Sequence, residues 1–162
     1  MAYAYDDNGS LTSQTRTGGS SPETTTYTYD LENRLATANV SRKEGTNDVS
    51  VVANYIYNPF GIRVRSDTQS GGSTQHKFFL VDSMNHTGYA QVLEESSSTD
   101  TGMTIGSSAL DRSYVIGDDV IDQTTGAATH YLGYDGHGST RILTDSDGAS
   151  CDDSCGNAPA GR

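Results

Sequence analysis

The chain has 162 residues, 10 basic and 21 acidic, with a formal charge of −11 and no Trp. Ile, Leu, Val and Phe together number 26, or 16% of the chain, below the roughly 20% under which a charged sequence falls toward disorder. That composition excludes a large α/β enzyme core, a membrane helix of ~18 apolar residues and a basic surface for phosphates; a polar β-protein, a disordered chain or a fragment remain.

The predicted elements, taken in chain order, repeat one pattern. YAYDDNGSLT supplies Tyr3, Tyr5, Asp6, Gly9 and Leu11. YTYDLENRLA repeats it with Tyr27, Tyr29, Asp30, Asn33 and Leu35. YIYNPFGIRV does so with Tyr55, Tyr57, Asn58, Gly61, Ile62 and Val64. FLVDSMNHTG is a weaker copy through Phe79, Val81 and Asp82, and YVIGDDVI begins at Tyr114 with Gly117 in the aspartate slot. LGYDGHGSTRIL ends the series with Tyr134, Asp135, Gly138, Arg141 and Leu143. Side chains alternate along a strand, so the rings of Y-x-Y share one face. The following Asp or Asn bonds its side chain to backbone N–H groups two residues on and starts a turn. Gly or Asn three positions later supplies a positive φ, after which alternation resumes. Each unit therefore predicts a β-hairpin.

SQTRTGGSSPETTT, SRKEGTNDVS and SDTQSGGSTQ read as polar spacers, with Gly18-Gly19 and Gly71-Gly72 as the opposite turns of a meander. The 96–109 stretch reads as a flexible loop. No window sustains helical spacing; the nearest candidate, YAQVLEES, is predicted as a strand. Ten Tyr against three Phe argue for a fold, since disordered segments are poor in aromatics.

These motifs resemble the YD repeats of the RHS (rearrangement hot spot) proteins, over nearly everything from Tyr3 to Gly148. The resemblance implies consecutive hairpins wound into a β-shell around a passenger toxin, as in bacterial polymorphic toxins, with related shells in animal teneurins. It implies a secreted or cell-surface location, although no signal peptide is encoded at MAYAYDDNGS. The family's shell closes with a DPxG-type self-cleavage motif, and no Asp-Pro occurs here; the prolines are Pro22, Pro59 and Pro159. The tail ASCDDSCGNAPAGR leaves the pattern abruptly, which suggests a truncated gene or a frame change near residue 149.

Asp135, His137 and Ser139 lie too close in sequence to converge as a triad, so they read as turn residues. Asp6, Asp7 and Asn8, and likewise Asp145 and Asp147, lack the distant glutamate of a calcium loop. His76, His86 and His130 show no metal spacing and read as surface polar groups. Cys151 and Cys155 could form a small disulfide loop or half a metal site; two free thiols in a flexible tail is the plainest reading. Asn8, Asn39 and Asn85 open chance glycosylation sequons. The tyrosine ladder is either a packed strand face, with aromatic pairs contributing roughly 0.2–1 kcal/mol each, or a carbohydrate platform.

The expectation is an all-β chain: a curved antiparallel sheet of consecutive YD-repeat hairpins over residues 1–148, then a disordered or frame-altered tail over 149–162. It has no catalytic residue, metal or cofactor. Its repeat-motif residues are Tyr3, Tyr5, Asp6, Gly9, Tyr27, Tyr29, Asp30, Asn33, Tyr55, Tyr57, Asn58, Gly61, Tyr134, Asp135, Gly138 and Arg141. The expected role is a segment of an RHS shell enclosing a toxin or effector. The alternative is a cell-surface carbohydrate-binding module. Expected partners are further YD repeats and the passenger domain, with no nucleic acid and no membrane span.

Overall fold

The computed structural model describes residues 1–18, 22–99 and 108–151. Twelve strands follow one another: β1 (Ala2–Tyr5), β2 (Leu11–Arg16), β3 (Glu23–Tyr29), β4 (Leu35–Glu44), β5 (Asn47–Tyr57), β6 (Arg63–Ser70), β7 (Ser73–Asp82), β8 (Gln91–Ser98), β9 (Ala109–Ile116), β10 (Val120–Thr125), β11 (Ala128–Tyr134) and β12 (Thr140–Thr144). Sheet order equals chain order, so each strand pairs with its neighbours in sequence. No helix occurs among the described residues. The all-β class of consecutive antiparallel hairpins is as expected, and YAQVLEES enters β8.

Among the described residues the chain divides into two compact units, Met1–Phe78 with Ser98 and Thr99, and Phe79–Ser97 with the segment from Ser108. In the first, β3, β4 and β5 are the longest paired block: Thr25 faces Val40, which faces Val51, and Tyr27 faces Ala38, which faces Ala53. Threonines bond across the strands, Thr28 Oγ1 lying 2.7 Å from Thr37 Oγ1. The second unit repeats that device between Thr124 and Thr129 at 2.9 Å. β-Branched residues suit this half-exposed pleat.

Among the described residues no apolar side chain is buried; the buried residues are Thr25, His76, Ser98 and His130. With Ile, Leu, Val and Phe at 16% of the chain, there is little large apolar surface to bury. Backbone pairing and polar side-chain bonds therefore carry the fold.

Several expectations are corrected. SRKEGTNDVS is not a spacer: β4 and β5 run through it to a two-residue turn at Gly45 (φ 63°) and Thr46. The alternation of polar β-branched and small residues there hid a long hairpin. Gly126 (φ 61°) opens a second such turn between β10 and β11. Gly71 and Gly72 (φ 57° and 83°) form the predicted turn between Ser70 and Ser73. Gly18 is described and Gly19 is not. The 96–109 loop is shorter than expected, because β8 continues to Ser98 and Ser97 pairs with Ala109; residues 100–107 lie outside the described set. Ala149 to Cys151 fold back onto β12, with Cys151 N–H donating to Leu143 O at 2.8 Å; the rest of the predicted tail lies outside the described residues. Cys151 is disulfide-bonded, not a free thiol. The error came from placing it in a loose tail, whereas the Asp145 turn returns the chain to the sheet.

Candidate functional site: a stack of tyrosine–aspartate turns

Asp6–Gly9, Asp30–Asn33 and Asn58–Gly61 close the hairpins β1–β2, β3–β4 and β5–β6; Asp135–Gly138 closes β11–β12. In each, the fourth residue's N–H donates to the first residue's carbonyl at 3.0 Å. The first residue's N–H donates to the carbonyl of the fifth: Ser10, Arg34, Ile62 or Ser139. One side-chain oxygen of the first residue accepts twice. Asp6 Oδ1 takes Asn8 N at 3.0 Å and Ser10 N at 2.8 Å; Asp30 takes Glu32 N and Arg34 N, both at 2.9 Å. Asn58 takes Phe60 N and Ile62 N, and Asp135 takes His137 N and Ser139 N. One acceptor oxygen suffices, which is why Asn58 replaces aspartate. The fourth position is left-handed, φ 78–84° at Gly9, Gly61 and Gly138, and 61° at Asn33, the one non-glycine residue with positive φ among the described residues. Asparagine tolerates that region.

A further turn has the same form: Asp145 Oδ1 accepts from Asp147 N and Ala149 N, and Gly148 has φ 81°. TDSDG is thus a repeat of the turn without its tyrosines; its acidic residues read as turn formers in sequence, but not as a copy of the repeat. The weak copies are degenerate. Asp82 Oδ1 accepts from Met84 N, and a second turn, Asn85–Gly88, follows. Gly117 N instead donates to Asp119 O at 2.8 Å.

The second tyrosine of each full unit sits at a register break, between Ala4/Tyr5, Thr28/Tyr29, Ile56/Tyr57 and Gly133/Tyr134. Such a bulge bends the strand and re-aims the side chain. Three of the rings thereby reach a neighbouring return strand: Tyr29 Oη donates to Leu11 O at 2.9 Å, Tyr57 Oη to Leu35 O at 2.9 Å, and Tyr134 Oη to Val120 O at 2.7 Å. The first tyrosines, Tyr27 and Tyr55, are half-buried, with the Arg63 guanidinium 5.4 Å from the Tyr55 ring centre. Tyr3 and Tyr5, on terminal β1, are 54% and 62% exposed. Hydrogen bonding of the hydroxyl was the signal that composition alone could not give.

Charge ties one turn to the next. Arg34 Nε donates to Asp30 Oδ2 at 2.7 Å, and Nη1 lies 2.8 Å from Glu32 Oε2 in an ion pair outside hydrogen-bond geometry. The same guanidinium is 4.8 Å from the Tyr57 ring centre, and a Cβ on Gly61 would stand 3.5 Å from Nη1. Arg34 therefore reaches from the second turn onto the third. Ser10 Oγ donates to Asn33 Oδ1 at 2.9 Å, linking the first turn to the second. In the second unit Arg141 Nε donates to Asp135 Oδ2 at 2.6 Å. The Arg34 backbone N–H, followed by its side chain, holds the Asp30 carboxyl below its ordinary pKa, and the Asp30 bond raises that of Arg34. Asp135 is lowered chiefly by the Ser139 N–H, then by Arg141. Both oxygens of each carboxylate accept hydrogen bonds, an arrangement that suits holding a turn.

The sequence reading placed His76 and His130 on the surface, and both are buried. His76, on β7 opposite Asp67 of β6, brings Nδ1 to 2.6 Å from Asp67 Oδ1. Arg65 Nε donates to the same oxygen at 2.7 Å and Nη2 to Oδ2. The pairing of R-x-D with a histidine nine residues after the aspartate depends on the Gly71-Gly72 register, so spacing alone did not reveal it. His137 meets Asp135 only through its backbone N–H, and no triad forms with Ser139. Among the described residues no cluster of three His, Cys, Asp or Glu side chains could hold a metal, and no helix is long and apolar enough to cross a membrane.

Residues 5–46 match the family model described as RHS Repeat. The match runs from Tyr5 through the first two turns to the Gly45-Thr46 turn. No curated protein matches the chain.

Proposed function

We propose, from the premise that this chain is an RHS/YD-repeat protein, that it serves as wall material: a segment of a β-shell that encloses and presents a toxin or effector domain and performs no chemistry itself. The observation that carries the reading is the tyrosine stitch. Tyr29 and Tyr57 spend their hydroxyls on backbone carbonyls of the adjoining return strand, so each joins one hairpin to the next. A sheet with no buried apolar side chain among its described residues gains stability mainly from neighbouring repeats. By family likeness the assembled shell acts outside the cell or at its surface.

Protease protection tests this. The chain is produced together with the other YD repeats and the passenger domain of its own locus, and trypsin digestion of the passenger is followed by mass spectrometry. Containment requires passenger peptides to survive when the chain is included and to be cut when it is omitted. Equal cutting in both cases would refute the proposal.

A further inference from the structure

We infer that Asn8–Gly9 is a self-modification site, where the Gly9 amide closes on the Asn8 side chain to a succinimide at a rate set by opening of the Asp6 turn. This reading does not depend on the wall proposed above.

Asn8 is the one asparagine of the chain followed by glycine. Glycine has no Cβ to crowd the approach of its nitrogen to the preceding side chain. Asn8 holds the third position of its turn and is exposed. Its side-chain amide makes no hydrogen bond among the described residues. The other turns supply comparisons. Asn33 precedes Arg34, whose N–H is committed to Asp30 Oδ1 at 2.9 Å. Asn58 precedes Pro59, which has no N–H to give up. Asn85 Nδ2 donates to Asp82 O and Tyr89 O.

The chemistry consumes only water. The Gly9 nitrogen yields its proton to solvent base and bonds to Asn8 Cγ; the bond from Cγ to the amide nitrogen breaks, and ammonia leaves with a proton regained from solvent. One water then opens the ring at either carbonyl, giving aspartate or isoaspartate. The closed turn opposes the first step. Gly9 N–H donates to Asp6 O and Asn8 N–H to Asp6 Oδ1, both at 3.0 Å, so the attacking nitrogen is held until the turn opens locally. Isoaspartate then runs the main chain through the former side chain and lengthens it by one atom. The Asp6 turn can no longer close on the same atoms, and the Ser10 Oγ bond to Asn33 Oδ1 carries the change to the second turn. A transient opening becomes a permanent one.

The full chain is aged at neutral pH, native and in guanidinium chloride, then digested with trypsin. The peptide Met1–Arg16 holds Asn8 as its only asparagine, so conversion reads as the mass change from amide to acid, and labelling by isoaspartyl methyltransferase reports isoaspartate. Asn8 should convert faster in denaturant than in the native chain, ahead of Asn33 and Asn58, and Asn8→Gln should lose the label. Asp6→Ala removes the acceptor of Asn8 N and Ser10 N. It should convert about tenfold faster than the parent under native conditions, the ratio for about 1.4 kcal/mol of turn stability. Should circular dichroism show Asp6→Ala unfolded, the parent's rate across the denaturant series tests the same gating. An unconverted Asn8 in denaturant would overturn the site. Aspartate without isoaspartate would overturn the ring route. Equal rates in native and denatured parent, or in parent and folded Asp6→Ala, would overturn control by the turn.

Discussion

Tyr57→Phe isolates the tyrosine stitch more cleanly than any other change. The ring and its 4.8 Å contact with the Arg34 guanidinium remain, and only the 2.9 Å bond from the hydroxyl to Leu35 O is lost. A neutral hydrogen bond contributes about 0.5–1.5 kcal/mol net. Tyr57 and Leu35 are half-buried, so water can partly solvate the released carbonyl and the expected loss is about 1 kcal/mol. For a chain of this length that lowers Tm by about 2–4 °C, read by far-ultraviolet circular dichroism alongside urea titration. Tyr29→Phe should cost about as much, since it breaks the equivalent bond to Leu11 O. Tyr5→Phe should cost nothing, because no such bond exists on β1. The decisive quantity is the difference between these variants. If Tyr5→Phe destabilises as much as Tyr57→Phe, or if Tyr57→Phe leaves the midpoint unmoved, the stitch is not what joins the hairpins.

Gly133→Ala would place a Cβ 2.5 Å from Ile142 Cγ2 on the facing strand, so an overpacking loss of about 1–3 kcal/mol is expected; adding Ile142→Ala should recover part of it in the same melt, and no recovery would locate the strain elsewhere. Acid should open the turns unequally. Asp30 and Asp135 have lowered pKa values in the fold, so their contribution is full above the unfolded value near 3.9 and is lost as pH falls through the lower folded one. The Asn58 turn does not titrate. Amide exchange measured from pH 5 to pH 2 should show Glu32 and His137 losing protection before Phe60, and Asp30→Asn should remove the acid step at Glu32. Asp67→Asn should weaken the hold on Arg65 and on His76, whose Nδ1 lies 2.6 Å from Asp67 Oδ1, and lower the melting midpoint; an unchanged midpoint would contradict that pairing.

Much of the fold was legible because its signals are local. A carboxylate or amide that caps its own turn, followed by glycine or asparagine in the left-handed region, acts within five residues, and Asp6, Asp30, Asn58 and Asp135 announce it in one dimension. What escaped depends on register. The Gly45-Thr46 and Gly126-Ala127 turns were hidden because two-residue turns leave little punctuation in polar strands rich in Thr, Ser and Asn. Asp67 and His76 meet only after Gly71-Gly72 fixes which residues oppose. The burial of His130 opposite Gln123 likewise depends on its neighbours. Cys151 was misjudged for a related reason: the Asp145 turn carries no tyrosines, so the return of the chain onto β12 had no familiar preface.

The arrangement of these bonds also explains why composition looks so unlike that of an ordinary domain. A two-layer protein gains its stability by burying apolar side chains, and each layer then needs large aliphatic residues on one face. Here the equivalent contacts lie within the sheet: a turn closed by its own Asp or Asn, a tyrosine hydroxyl on the next return strand, and an arginine laid across the following turn. None of these requires a second layer, so both faces remain available to solvent or to a partner and the sequence is free to be polar. The same economy has a structural consequence. Each stitch joins one hairpin to its neighbour, so the stability of a sheet built this way rests on neighbouring hairpins in register.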